Sequence, residues 1–321
     1  MSQLLQIKKQ LEVASERILK LERALRDNPN LPSIAANLES AVRVRAKLEQ
    51  QFAEVGAKAG YDICRYRAFD DFDRPVVGPV FNSIAGFQRL VSVVYAAIKH
   101  GYRERASVPE NAARESAFDL GYAFTGSIGV VLTVRNEKTL FENSYIDESL
   151  EAVFSMAKAR TIKQVSELAE KLGPGPINAL YDWADANAES GLSAEIDWRK
   201  GDIIQKSVLV QRQELAQLKA TIEQTSSEKI ELLTIEGKLT MADATKNKFK
   251  MERFGLPIIQ GTVHPEAIDD RHKVTIPSEY SAKIQKTTRV RFSTGQKEEQ
   301  YHLIKLGEPK GNIRKSRRKH A

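Results

Sequence analysis

A run of apolar side chains near its start constrains this chain more than any other feature. Leu4, Ile7, Leu11, Ala14, Ile18, Leu21 and Leu25 recur at alternating spacings of three and four, with charged residues between them. Such a seam, sustained for about three heptads, predicts a helix that buries one stripe against another helix as in a coiled coil. The partner follows directly in the chain. Asp27-Asn28-Pro29-Asn30-Leu31-Pro32 breaks the first helix, because proline lacks an amide donor and disfavours helical geometry in the residue before it. Ser33 is the expected N-cap of a second helix, whose seam runs Ile34, Leu38, Ala41, Arg45, Leu48, Phe52 and Val55 before Gly56 and Gly60. Two long helices joined by a short loop fold back on each other. Residues 1–58 are therefore expected to form an antiparallel coiled-coil αα-hairpin. Leu4, Ile7, Leu11, Ile18, Leu21, Leu25, Leu38, Leu48 and Phe52 are its protein-interaction seam. A two-helix unit leaves an apolar edge uncovered, so it calls for a third surface: the rest of the chain, a second copy or another protein.

The remainder of the 321 residues is ordinary globular material. At 41% hydrophobic and 28% charged the chain has enough apolar side chains for a real core. Its length suits about two compact units at roughly 150 residues each. Residues 59–226 read as a mixed α/β domain. The expected elements are a strand over 61–69, a dense apolar helix over 79–99, a hairpin from Ile128 to Phe141 and helices near 145–159, 162–172 and 176–189. Leu192, Ala194, Ile196 and Trp198 alternate with polar neighbours, which predicts a half-buried strand. After it, Ile204, Val208, Leu215, Leu218 and Ile222 predict one long helix capped by Asp202. Residues 227–309 change to short alternating strands with one short helix over 278–284. Closure of such strands removes sheet edges, which predicts a small SH3-like or OB-like barrel. The fold class expected is thus α+β and multi-domain, with a basic, unstructured tail over 310–321.

Charge narrows the classes of partner. The formal net charge is +7, but residues 310–321 carry six basic side chains and no acid, so the other 309 residues net only +1. A protein that grips nucleic acid with its whole body spreads positive charge over a folded face, and this one does not. Two local features keep DNA or RNA in view as alternative partners. Lys246, Lys248 and Lys250 alternate with Phe249 and Met251, and Arg289 and Arg291 alternate with Val290 and Phe292. Two such strands on one barrel wall would form a basic stripe for phosphates, extended by Arg314, Lys315, Arg317, Arg318 and Lys319 of the tail.

Signatures of catalysis are sparse. Cys64 is the single cysteine, which excludes an internal disulfide and a Cys-rich zinc site, and its place in a strand predicts a buried, inert thiol. Asp71 and Asp73, two apart in Asp70-Asp71-Phe72-Asp73, are the best candidate ligands for a hard cation such as Mg²⁺. The glycine-rich stretch 121–129 lacks the Lys-Ser/Thr ending of a phosphate loop and precedes a strand, so close backbone packing or a bulge is expected there. His264 and His272 flank Glu266, Asp269 and Asp270 in an apparent loop, and no helix-face histidine pair is present in the sequence. The apolar run 76–98 is interrupted by Asn82, Gln88 and Arg89, which argues against a membrane span. The first ten residues hold two lysines and no apolar core, so no secretory leader is expected.

The expected function is accordingly a non-enzymatic interaction or assembly subunit of an intracellular, cytoplasmic complex. It would dock another protein, or a second copy, through the coiled coil and the barrel, with no cofactor. Nucleic-acid association through stripe and tail is the first alternative, and a metal-dependent enzyme with a central site is the second.

Overall fold

The computed structural model describes residues 3–70, 77–124, 128–136, 144–243, 245–253, 255–264, 267 and 274–309. The architecture is mixed α/β, with eight helices among the described residues, a five-stranded sheet and a closed five-stranded barrel. The chain divides into two compact units. One comprises Met1–Thr225 with Phe292–Gly295, and the other Ser226–Arg291 with Gln296–Ala321.

In the first unit, helices α1 (Gln3–Asp27) and α2 (Pro32–Lys58) pack along each other on the predicted seam. Helix α2 begins at Pro32, one residue before the expected cap Ser33, with Leu31 as N-cap. A proline is well placed in a first turn, where its missing amide would have no partner in any case. Arg45 lies half-buried on the seam, its head tied to Glu49 at 3.0 Å.

Strands β1 (Tyr61–Phe69), β2 (Phe118–Phe124), β3 (Ile128–Arg135), β4 (Ser193–Lys200) and β5 (Ile203–Val210) form an antiparallel sheet in the order β2-β3-β1-β4-β5. Alternation along the strands gives the sheet two different faces. Cys64, Tyr66, Val130, Leu132, Val134, Ile196, Trp198 and Val208 face a layer built from α3 (Val77–His100), α5 (Tyr145–Ala157), α6 (Ile162–Leu172), α7 (Pro174–Glu189) and α8 (Arg212–Glu223). The short α4 (Glu110–Glu115) buries Ala112 in the same core. Helix α3 is long and apolar enough to cross a membrane by length and composition, and it is the central helix of this core. On the opposite face, Ile63, Tyr122 and Val131 meet Ile7 and Leu11 of α1 and Phe52 and Ala53 of α2. The base of the helical hairpin is thus a third layer of the first unit.

One expectation is corrected here and another is met. Residues 203–210 are strand β5, not the start of a long helix. Ile204 and Val208 mimic a helical stripe, but Gly201, at φ +59°, and Asp202 turn the chain tightly from β4 into β5. Only 212–223 are helical. The glycine-rich segment contains the end of β2, and Gly121 stands at a register shift between Leu120 and Tyr122. A Cβ at Gly121 would lie 2.9 Å from the Val131 carbonyl oxygen, so close packing and bulge are both realised at this residue.

The second unit contains β6 (Ser226–Asp243), β7 (Lys248–Arg253), β8 (Leu256–Val263), β9 (Ser278–Arg291) and β10 (Lys297–Gly307), closed in the order β10-β8-β7-β6-β9. Leu239, Phe249, Met251, Ile259, Ala282, Ile284 and Leu303 fill its interior. The short helix expected over 278–284 is instead the first half of β9. Pairing with β6 on one edge and β10 on the other overrides any local helical preference.

Candidate protein-interaction surface

The heptad seam is closed within the chain. Ile7, Leu11, Ala14 and Ile18 of α1 and Ala41 and Phe52 of α2 are buried, and Leu4, Leu21, Leu25, Leu38 and Leu48 are half-buried. Seam residues near the loop pack between the helices, whereas Ile7, Leu11 and Phe52 also pack on the sheet, where the Phe52 and Tyr122 rings meet edge to face at 5.3 Å. The groove beside the seam stays open. Lys9, Gln10, Val13 and Arg17 of α1 and Ser40, Val44 and Leu48 of α2 line it, without a carboxylate among them. Val13 is 66% exposed and Val44 54% exposed. The groove therefore has an apolar floor and a cationic α1 rim. Sequence reading identified the seam and missed the groove. The signal was the absence of acids from positions 9, 10, 13, 17, 40, 44 and 48 beside a seam that elsewhere carries glutamates.

Two polar sites lie deeper. Between α2 and the sheet, Arg65, Tyr122, Arg199, Glu49 and Asp202 line a cleft. Its charges are largely tied up locally: Glu49 holds Arg45, Asp202 accepts from Gln50 at 3.5 Å, and Asp197 lies 3.6 Å from Arg199. Arg65 stacks over the Phe124 ring at 4.7 Å, and burial pushes the Tyr122 phenol up from its ordinary value. At one end of the sheet, Asp62 accepts hydrogen bonds from Trp198 Nε1 at 2.9 Å and Asn136 Nδ2 at 2.8 Å. Asn136 Nδ2 also reaches Asp147, which Lys200 pairs at 2.7 Å. Burial raises the Asp62 carboxyl above its ordinary value even against these donors. The group ties β1, the end of β3, β4 and α5 together.

The other predicted residues are distributed as follows. Cys64 is fully buried, and burial pushes its thiol far up, as expected for an inert core cysteine. Asp71 and Asp73 lie outside the described residues, as do His272, Glu266, Asp269, Asp270 and the tail cations Arg314, Lys315, Arg317, Arg318 and Lys319. Among the described residues no group of three His, Cys, Asp or Glu side chains could hold a metal ion. The basic barrel residues sit on β7, with the turn before it, and on β9, strands that are not neighbours in the barrel. Lys250 lies opposite Met241 and Lys248 opposite Asp243 at the end of β6, whereas Arg289 lies opposite Glu228 at its start. Round the other side of the closed barrel Lys248 opposes Thr262, Thr262 opposes His302 and His302 opposes Gln285, four residues before Arg289. Acids interrupt each set as well. The Lys246 amide bonds Asp243 in the turn before β7, and Arg291 pairs Glu298 at 2.8 Å. Alternation within a strand was legible in the sequence, but which strands are neighbours in the barrel was not.

No protein-family model, no curated protein and no solved structure matches this chain.

Proposed function

We propose that this protein is a non-enzymatic interaction subunit of a cytoplasmic assembly, and that it docks its partner in the groove between α1 and α2. In this reading α1 and α2 form an antiparallel coiled coil and the barrel is an SH3- or OB-like accessory module. The observation that carries it is an exposed apolar floor bordered by Lys9 and Arg17 with no carboxylate in the lining. An amphipathic helix with acidic flanks complements such a groove in shape and charge. A second copy of the same groove would set like charges against each other, so the partner is a different polypeptide.

The test is affinity purification of the full chain from its own host after nuclease treatment, in parallel with the Val13→Asp/Val44→Asp variant. A stoichiometric partner should appear with the wild type, and its binding segment should be an acidic amphipathic helix. As a synthetic peptide that segment should lose at least tenfold in affinity for the variant. The variant should melt within about 0.5 kcal/mol of wild type, because both positions are exposed. A partner held equally well by the variant would overturn the reading, and so would a chain that purifies alone.

The nucleic-acid alternative draws on the tail cations and on the barrel charges of β7 and β9. It expects binding whose salt dependence flattens when 310–321 are deleted, with a slope of about −0.9 per phosphate neutralised on duplex DNA. The metal-enzyme alternative rests on Asp71 and Asp73 alone, and metal-dependent stabilisation abolished by Asp71→Asn would support it.

A further inference from the structure

The second unit has an edge that its own barrel leaves open. Strand β6 pairs with β9 from Ser226 to Leu239, but with β7 only from Lys238 to Asp243. Among the described residues no strand pairs with the other edge of Ser226–Gly237, about 40 Å of strand at ~3.3 Å per residue. That edge is not blunted by proline or a bulge. Ile230 and Leu232, on one face, are 59% and 74% exposed. Lys229 and Glu231 alternate with them on the other face and pair within the strand at 2.8 Å. A long, regular edge of this kind is a template for another strand.

We propose that two copies of this chain associate by antiparallel pairing of their β6 edges, centred on Ile230. Antiparallel pairing around a two-fold axis matches each residue with its mirror position, so register decides which charges meet. Centred on Ile230, each Lys229 faces Glu231 of the other copy, twice over, and the two isoleucines lie side by side on the axis. Shifting the centre by one residue sets Lys229 against Lys229, or Glu231 against Glu231. Shifting it to Leu232 sets Glu228 against Glu236. Of these four registers, only the one centred on Ile230 pairs opposite charges, and opposite-charge pairs directly across an antiparallel ladder are favourable whereas like pairs are not. The result is a continuous six-stranded sheet across the axis, β10-β9-β6 followed by its symmetry mate. Each copy uses its β6 edge once, so the assembly closes at two. This surface is independent of the α1–α2 groove and would persist if the groove bound nothing.

Sedimentation equilibrium of the full chain over a hundredfold range of concentration should show a reversible monomer–dimer equilibrium. Lys229→Glu alone and Glu231→Lys alone should each weaken the dimer by about tenfold, and the double exchange should restore it. Ile230→Cys adds an exposed thiol to a chain whose native Cys64 is buried. Directly opposed residues lie about 4.5–5.5 Å apart between Cα atoms, within the span of a disulfide. Mild oxidation should therefore cross-link Ile230→Cys into a dimer, while Leu232→Cys, four residues out of register with its mate, should stay monomeric. A monomer throughout, a dimer indifferent to the charge exchange, or faster cross-linking at 232 than at 230 would each overturn the proposal.

Discussion

Replacing Phe52 with alanine should release the helical hairpin from the sheet. Phe52 is buried where α2 meets Tyr122, Val131 and Ile63. Truncating a buried phenylalanine costs about 3–5 kcal/mol, the spread reflecting how far the neighbours close the cavity. Here one wall is a sheet fixed by helices on its far side, and the other is a hairpin free to settle inward. That places the cost near the lower end, about 3 kcal/mol. For a unit of this size it lowers Tm by roughly 6–12 °C. Leu38→Ala is the internal control, because Leu38 is half-buried between the helices and away from the sheet. It should cost about 1–2 kcal/mol, less than a fully buried leucine. Urea unfolding gives both values, and hydrogen exchange locates the loss. In Phe52→Ala the amides of α1 and α2 should exchange faster while those of β1 and α3 keep their protection. If Leu38→Ala proves as costly as Phe52→Ala, the seam alone holds the hairpin and its docking on the sheet contributes nothing.

Gly173 has φ +95°, and a Cβ there would lie 2.2 Å from the Arg103 carbonyl oxygen, so Gly173→Ala should destabilise by about 2–4 kcal/mol in urea titration. Burial of the Tyr66 hydroxyl pushes its pKa up to about 12, against the lowering effect of its bonds to Ser83 and Trp183. The folded state therefore holds the phenolic proton longer than the unfolded chain does. Stability is complete below the ordinary value of 10.0 and falls as pH rises from there toward about 12. Tyr66→Phe should remove this one-proton slope, a difference of up to about 3 kcal/mol between the two alkaline melts. Trp183→Phe exchanges the fully buried indole for a smaller phenyl ring and deletes the Nε1 donor to Tyr66, so the cavity and the lost hydrogen bond together should cost about 2–4 kcal/mol by thermal melting.

Elements written in local periodicity were legible in the sequence. The seam residues of α1 and α2 point inward as their spacing requires, and β1, α3, α6 and β4 fall close to where alternation or helical spacing places them. What failed was decided by strand pairing, which local periodicity does not report. Residues 203–210 satisfy a helical stripe and become a strand because β4 supplies a ladder across a tight turn. Residues 278–284 join β9 because two strands flank them. The groove on the hairpin was hidden differently. Its residues are individually unremarkable surface positions, and only the packing of α1 against α2 brings Val13 and Val44 to one channel.

Phe292–Gly295 belong to the first unit although the chain on either side belongs to the second. Phe292 is buried in the first unit's core, and Asn178 Nδ2 donates to the Ser293 carbonyl oxygen at 2.8 Å. The boundary in sequence and the boundary in space therefore do not coincide. A fragment cut at Thr225 would carry a hole the size of a phenylalanine side chain, and a fragment begun at Ser226 would expose that ring to water. The order of synthesis is constrained as well. As the chain leaves the ribosome, the first unit must wait for four residues that emerge only after most of the second has been made. Its last packing step is tied to the arrival of a hairpin tip that follows most of the second unit in sequence.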